Sequence, residues 1–342
     1  MDLMLGIGLV IAGGAMEGLF SLPVTRTPRW HWENVWFLGS LIALLLVPWP
    51  VALLTVPELG EVYTEVGPHV LCMTFLFGLG WGLGGVFWGK AIAAVGMALG
   101  VSLLMGLTNV FGSPVPLAIK EPDKLTQPGG LTLLAAVGMM VVGVAVCAKA
   151  GQMRSRDQGQ LARQDAARAK FAIGLVFCII SGVLSAFVNF GFIFGEPIAD
   201  AAARHGASAV VKSNAIWALV FTGNYLVNVL YAMGVMVRRR TFSAIATGGS
   251  VGYWAWAVFM GITWPLGIVL FGIGAGMMGR YGAFAAFPMM LVMAILFGNL
   301  AGIVTGEWRG ASTRTRTTMF VGVLILFAAF AVFGKASLLL GG

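Results

Sequence analysis

Trp81-Gly-Leu-Gly-Gly-Val-Phe-Trp-Gly89, followed by Gly96, recurs as Trp264-Pro-Leu-Gly-Ile-Val-Leu-Phe-Gly272, followed by Gly279. The offset is 183 throughout, and six of the sixteen positions are identical. Each copy lies inside an apolar stretch, so the glycines do not read as a phosphate loop. The small-xxx-small pairs Gly78/Gly82 and Gly85/Gly89 instead allow two helix backbones to approach closely in lipid. A weaker match joins Ile7-Gly-Leu-Val10 to Ile173-Gly-Leu-Val176 at an offset of 166, leaving 17 extra residues to be placed in the second half before residue 251. A chain that repeats its own apolar segments is built from two related halves.

Working outward from these segments, runs of about 20 predominantly apolar residues, enough to cross a hydrocarbon core roughly 30 Å thick, cover 3–23, 34–56, 69–89, 93–112, 130–149, 171–194, 209–235, 251–273, 281–304 and 318–338. The 342 residues are 59% hydrophobic and 10% charged, too few charges to cover soluble cores of that size. The solvent is the bilayer. The runs are long and continuous rather than short and alternating, which excludes a membrane barrel. The sequence therefore predicts an all-α integral membrane protein with ten transmembrane helices. Net charge +8 belongs to membrane-facing loops and requires no nucleic acid. Cys72, Cys147 and Cys178 lie in apolar runs and form no disulfide framework. The first run lacks a basic leader and a cleavage pattern, so it reads as a span rather than a signal peptide.

Lys and Arg are retained on the cytoplasmic side, and 15 of the 21 fall in the odd-numbered loops; the loop after the second span carries only Glu58, Glu61 and Glu65. Both termini are therefore expected outside the cytoplasm of a cell, or inner, membrane. The longest polar stretch divides the chain into a first five-helix repeat (1–150), a cytoplasmic linker (151–170) and a second five-helix repeat (171–342). Gly195-Glu-Pro opens a segment of strong helix formers ending at Gly206, a short external helix near 196–206. An odd number of spans per half makes the two repeats inverted, a design of secondary transporters that bind substrate near the midplane.

No enzyme motif is visible. His31, His69 and His205 lie in loops or at span ends, no ligand set predicts a metal, no Walker loop is present, and no cofactor is expected. Of the 13 carboxylates, only Glu17 lies well inside a run. A charged carboxylate at that depth costs about 3 kcal/mol, so burial favours the neutral acid and opening to water releases the proton. Glu17 is the candidate proton-coupling residue; the competing reading is a neutral acid bonded to a neighbouring helix beside Gly13, Gly14 and Gly18. In the seventh run Asn214, Trp217, Phe221, Asn224, Asn228 and Tyr231 recur at steps of 3, 4, 3, 4 and 3, one stripe of a helix. Amides beside aromatic rings suit a sugar, whose hydroxyls need partners and whose C–H faces pack on rings; interhelical hydrogen bonding is the alternative. Asn189, Trp88, Asn109, Trp254 and Asn299 complete the substrate-binding candidates.

Further residues carry a resemblance: Pro23 with Trp30-His-Trp-Glu33 and Trp36; Phe75-Leu-Phe-Gly78 with Trp81-Gly-Leu-Gly84; Gly96-Met-Ala-Leu-Gly100 with Gly106; Ala150-Gly-Gln152; Glu196-Pro197 with Ala201-Ala-Ala203. Across most of its length the chain resembles the bacterial L-rhamnose-proton symporter family, a ten-helix branch of the drug/metabolite transporter superfamily. The resemblance implies proton-coupled import of L-rhamnose or a related deoxyhexose by alternating access. It does not extend to Glu17, whose role rests on its depth. The alternatives are a carrier of another sugar or small polar metabolite, with sodium as an alternative coupling ion, and a membrane enzyme acting on a lipid-linked sugar, for which only the group Arg29, His31 and Glu33 offers chemistry.

Overall fold

The computed structural model describes residues 2–20, 22–27, 29–95, 97–157, 165–247, 251–279, 282–304, 306 and 308–341. All regular structure among them is helical. In chain order the helices are α1 (Asp2–Leu19), α2 (Leu22–Arg26), α3 (Trp32–Leu41), α4 (Pro48–Thr55), α5 (Leu59–Val66), α6 (Pro68–Val95), α7 (Met97–Gly112), α8 (Pro114–Lys120), α9 (Pro122–Leu125) and α10 (Pro128–Asp157). They continue with α11 (Asp165–Ser185), α12 (Phe187–Phe194), α13 (Glu196–Arg204), α14 (Asn214–Arg239), α15 (Phe242–Thr247), α16 (Val251–Met277), α17 (Gly282–Val304) and α18 (Thr313–Gly341). Seven segments are long and apolar enough to cross a membrane, and Leu3–Leu19 and Phe284–Leu300 are shorter apolar helices. Apolar side chains such as Leu54, Leu230, Leu324 and Phe327 point outward, as a lipid-facing surface requires.

Among the described residues, several of the apolar runs are not single straight helices. The run at 34–56 starts two residues early, at Trp32, and passes from α3 through a π-turn at Ile42–Leu46 into α4. Pro48 and Pro50 have no N–H to donate, and the widened turn absorbs the lost i→i−4 bond, with the Val47 amide donating to the Ile42 carbonyl at 2.9 Å. The first run breaks after Leu19 and resumes as α2, with Pro23 near the start of the second piece. The sixth breaks at Ala186, between α11 and α12. The segment 196–206 forms α13, ending at His205 and Gly206, the latter at φ +93. The seventh run starts later than its apolar content suggests, at Asn214, and extends to Arg239, where Arg240 takes a left-handed conformation and closes the helix.

The packing is reciprocal. Helix α1 lies on α16 and α17, as α11 lies on α6 and α7; α3 lies on α14 and α16, while α14 in turn lies on α6; α10 and α18 lie against each other. Glycines set these crossings. A side chain on Gly13 would stand 2.6 Å from the Gly267 carbonyl, one on Gly78 would collide with the Val220 carbonyl, and one on Gly223 with the Phe75 carbonyl. Small residues thus bring α1 against α16 and α6 against α14 backbone to backbone, where dispersion between helices is the main attraction available in lipid.

Candidate functional site

Glu17 lies in the last turn of α1, just before the break in that helix. Its Oε1 is buried without a hydrogen-bond partner. The carboxyl rests against α16: a Cβ on Gly267 would stand 3.1 Å from Oε1 and 3.2 Å from Cγ. A side chain at 267 would crowd the acid and the Gly13 carbonyl, which its Cβ would meet at 3.0 Å. Among the described residues no hydrogen bond reaches Oε1.

The stripe on α14 faces inward, with Asn214, Trp217, Phe221, Asn224 and Asn228 all buried. It divides into two groups. In the first, Asn228 Oδ1 accepts the Trp36 Nε1 hydrogen at 2.8 Å, and Asn228 Nδ2 donates to the Asn224 carbonyl at 3.1 Å and to Asn224 Oδ1. In the second, Asn214 Nδ2 donates to Thr55 Oγ1 at 2.9 Å, and Trp217 stacks on Phe192 and Phe221 with centroids 5.2 and 5.7 Å away. Asn214, Trp217 and Phe221 border a cavity of about 230 Å³ between α4, α14 and α16, walled otherwise by apolar side chains such as Val51, Pro265 and Leu266. Tyr231, at the end of the stripe, meets the Trp32 ring and lies under Lys90.

The remaining candidates do not join this centre. Asn109 donates to Met140 Sδ, between α7 and α10. Asn189 donates to the Gly112 carbonyl at 2.6 Å. Asn299 bonds back to Ile295 in its own helix at 2.8 Å. Trp88 packs with Ala91, Leu104 and Cys178. Trp254 is 44% exposed and meets Trp30 edge-on.

What the sequence reading did not bring to the centre is a ring cluster. Trp264 touches three aromatic side chains, one from the turn after α1 and two from α3 and α6: Phe20, stacked at 5.1 Å; Trp36, at 5.5 Å; and Trp81, edge-on at 6.1 Å. Trp81 and Trp264 begin the two copies of the repeated segment, a signal that was present in the sequence. Glu33 is a second omission. It is wholly buried, with Thr241 Oγ1 donating to it at 3.2 Å and Arg239 at 3.5 Å, while the neighbouring Asn34 donates to the Thr241 carbonyl at 2.9 Å. These contacts tie the start of α3 to the end of α14.

A second set of ties joins α5 to α13. His205 lies between Glu58 Oε2 at 2.8 Å and Glu65 Oε2 at 2.9 Å, and Arg204 bonds Glu65 at 2.6 Å. The hydrogen bonds to Glu58 and Glu65 raise the His205 pKa, and those from Arg204 and His205 lower that of Glu65. Tyr63, from the same short helix, donates to the Ala215 carbonyl at 2.8 Å; burial of its ring hydroxyl raises its pKa.

The family model for the L-rhamnose-proton symport protein (RhaT) matches residues 1–337. The chain is 23% identical over 339 residues to an L-rhamnose-proton symporter of Yersinia pestis (strain Pestoides F), covering 97% of each. It is 24% identical over 341 residues to an L-rhamnose-proton symporter of Mannheimia succiniciproducens, covering 97% of the chain and 98% of the relative.

Proposed function

The chain belongs to the L-rhamnose-proton symport protein family, and we propose that it works as one, importing L-rhamnose or a related deoxyhexose together with a proton across the inner membrane. It is a carrier and not an enzyme. The observation that supports proton coupling most is Glu17, whose buried oxygen without a partner sits at the crossing of α1 and α16. A carboxyl there can hold a proton while shielded and lose it when its compartment wets. The buried amides Asn214, Asn224 and Asn228 and the rings of Trp217 and Phe221 are the groups proposed for the sugar. Asn189, Trp88, Asn109, Trp254 and Asn299 stand outside that group and are given no direct contact with it.

Ten spans arranged as two inverted halves are the proposed architecture. The reciprocal packing of α1 and α11 supports it, and so do the glycines at those crossings. Gly14 abuts Met290 and Gly182 abuts Leu107. Residues 107 and 290 are 183 apart, the offset of the repeated segment, and residues 14 and 182 are 168 apart. That is within two of the tetrapeptide offset of 166. The breaks after Leu19 and Ser185 are 166 apart, the offset of the tetrapeptide match. Interrupted helices at the repeat interface are where carriers of this design hold substrate and coupling ion.

A thermal-shift measurement on the purified chain tests the reading. A ligand that binds only the folded state at a hundredfold excess over its Kd adds about 2.7 kcal/mol of stability, so L-rhamnose should raise the melting temperature and an unrelated polar metabolite should not. A response to a different solute with none to L-rhamnose would overturn the proposed substrate.

A further inference from the structure

Trp81 stands 13 residues after Pro68, where α6 starts, and Trp264 stands 13 residues after Val251, where α16 starts. At 1.5 Å per residue both lie about 20 Å along their helices, which are 28 and 27 residues long. That is mid-span. Tryptophans of the interfacial belt lie at span ends, at headgroup level, so these two require another explanation. Trp264 is itself buried, whereas Phe20, Trp36 and Trp81 keep part of their surface accessible although each ring faces another helix.

Polar groups flank the four rings. One turn before Phe20 comes Glu17, and one turn after Trp264 comes Gly267, against which the Glu17 carboxyl rests. On the other side the Trp36 indole donates to Asn228 at 2.8 Å. A pyranose needs this combination. Its C–H face packs against the electron-rich face of an aromatic ring, and its hydroxyls, once removed from water, each require a donor or acceptor. Glu17 Oε1 has no partner, and Asn228 can exchange its bond to Trp36 for one to a hydroxyl.

We propose that Phe20, Trp36, Trp81 and Trp264 form the platform on which the sugar ring rests, with Glu17 and Asn228 at its rim. The proposal rests on the reading of the chain as a sugar importer and deepens it: Phe221 lies 5.8 Å from Trp81, so the platform continues the rings of the α14 stripe and places sugar and proton in one compartment built by both halves. Sugar seated on the rings covers Glu17, so loading of the one governs the access of water to the other.

Calorimetric titration of L-rhamnose into the full-length purified chain tests this. Trp81→Leu and Trp264→Leu should each weaken binding by about tenfold, the loss of ring contacts worth about 1.4 kcal/mol. Trp264→Phe, which keeps a ring, should stay within about threefold, since stacking survives. Trp256→Phe, in the same helix but packed on Phe259, should bind as the parent does, and melting temperatures without sugar identify any variant that fails to fold. Should Trp264→Leu not fold, Trp81→Leu and Trp264→Phe carry the comparison. Parent-like affinity in the folded leucine variants, or an equal loss in Trp256→Phe, overturns the platform alone. Absence of L-rhamnose binding by the parent overturns the importer reading and the platform with it.

Discussion

At the scale of single residues, some buried polar side chains have partners, while others, Glu17, Ser40 and Trp217 among them, keep an atom without one. Asn228 is the most committed of them, accepting from Trp36 in one helix and donating to Asn224 in its own. Removing its amide leaves the Trp36 indole N–H without its acceptor, at a cost of about 1 to 3 kcal/mol. Asn228→Ala should therefore lower the melting temperature and weaken L-rhamnose binding. Leu226→Ala, at a lipid-facing position 39% exposed, should leave affinity unchanged. Equal binding by both variants would return Asn228 to a packing role. The stripe containing Asn228 was legible in the sequence because helical spacing is a local property. Its partners were not, since Trp36 lies 192 residues away. Glu33 shows the same limit: it reads as a loop residue before an apolar run, and only Thr241, 208 residues later, makes it a buried one. Trp81 and Trp264 were visible as the start of a repeat, but a tryptophan in an apolar run resembles an interfacial anchor until its depth is known.

At the scale of elements, α14 is joined to the α3–α4 segment along its length, by Asn214 to Thr55, Thr222 to Trp49, Asn228 to Trp36 and Arg239 to Glu33. Alternating access needs such contacts to break at one end at a time. The α5–α13 tie is the part of this system that pH should reach. A His205 pKa raised by Glu58 and Glu65 means that its contribution is fully present below the unfolded value and is lost as pH rises through the folded one. The lowered pKa of Glu65 gives the opposite limb: its contribution is present above the unfolded value and is lost as pH falls through the folded one. Glu58 and Glu61 approach the same imidazole. Hydrogen exchange of the α5 amides, corrected for the intrinsic pH dependence, should show protection declining as pH passes above the usual histidine range, and His205→Ala should abolish that decline. Protection that ignores pH in the parent would remove the tie from any role in opening. The π-turn at Ile42–Leu46 was not legible beforehand. Prolines at 48 and 50 announce a fault in the helix, but not whether a kink or a widened turn absorbs it.

At the scale of the whole molecule, apolar length was the most readable property, and each of the ten runs contains helix in the structure. Hydropathy could not reveal which helices touch, because every outer surface in lipid is equally apolar; glycine crossings decide that. The proposed orientation follows from loop charge: cysteines placed at 150–157 should react with impermeant reagents only from the cytoplasm, and those at 57–68 only from outside. The reverse pattern would invert the carrier.

Proton coupling through Glu17 is tested most directly by one transport assay. In proteoliposomes with an acidic exterior, the parent chain should accumulate L-rhamnose above its outside concentration and lose that accumulation when a protonophore collapses the gradient. Glu17→Gln, which keeps size and hydrogen bonding but cannot titrate, should bind the sugar yet bring it only to equal concentrations. Undiminished accumulation by Glu17→Gln, or accumulation by the parent that follows sodium and ignores the proton gradient, would contradict proton coupling through this residue.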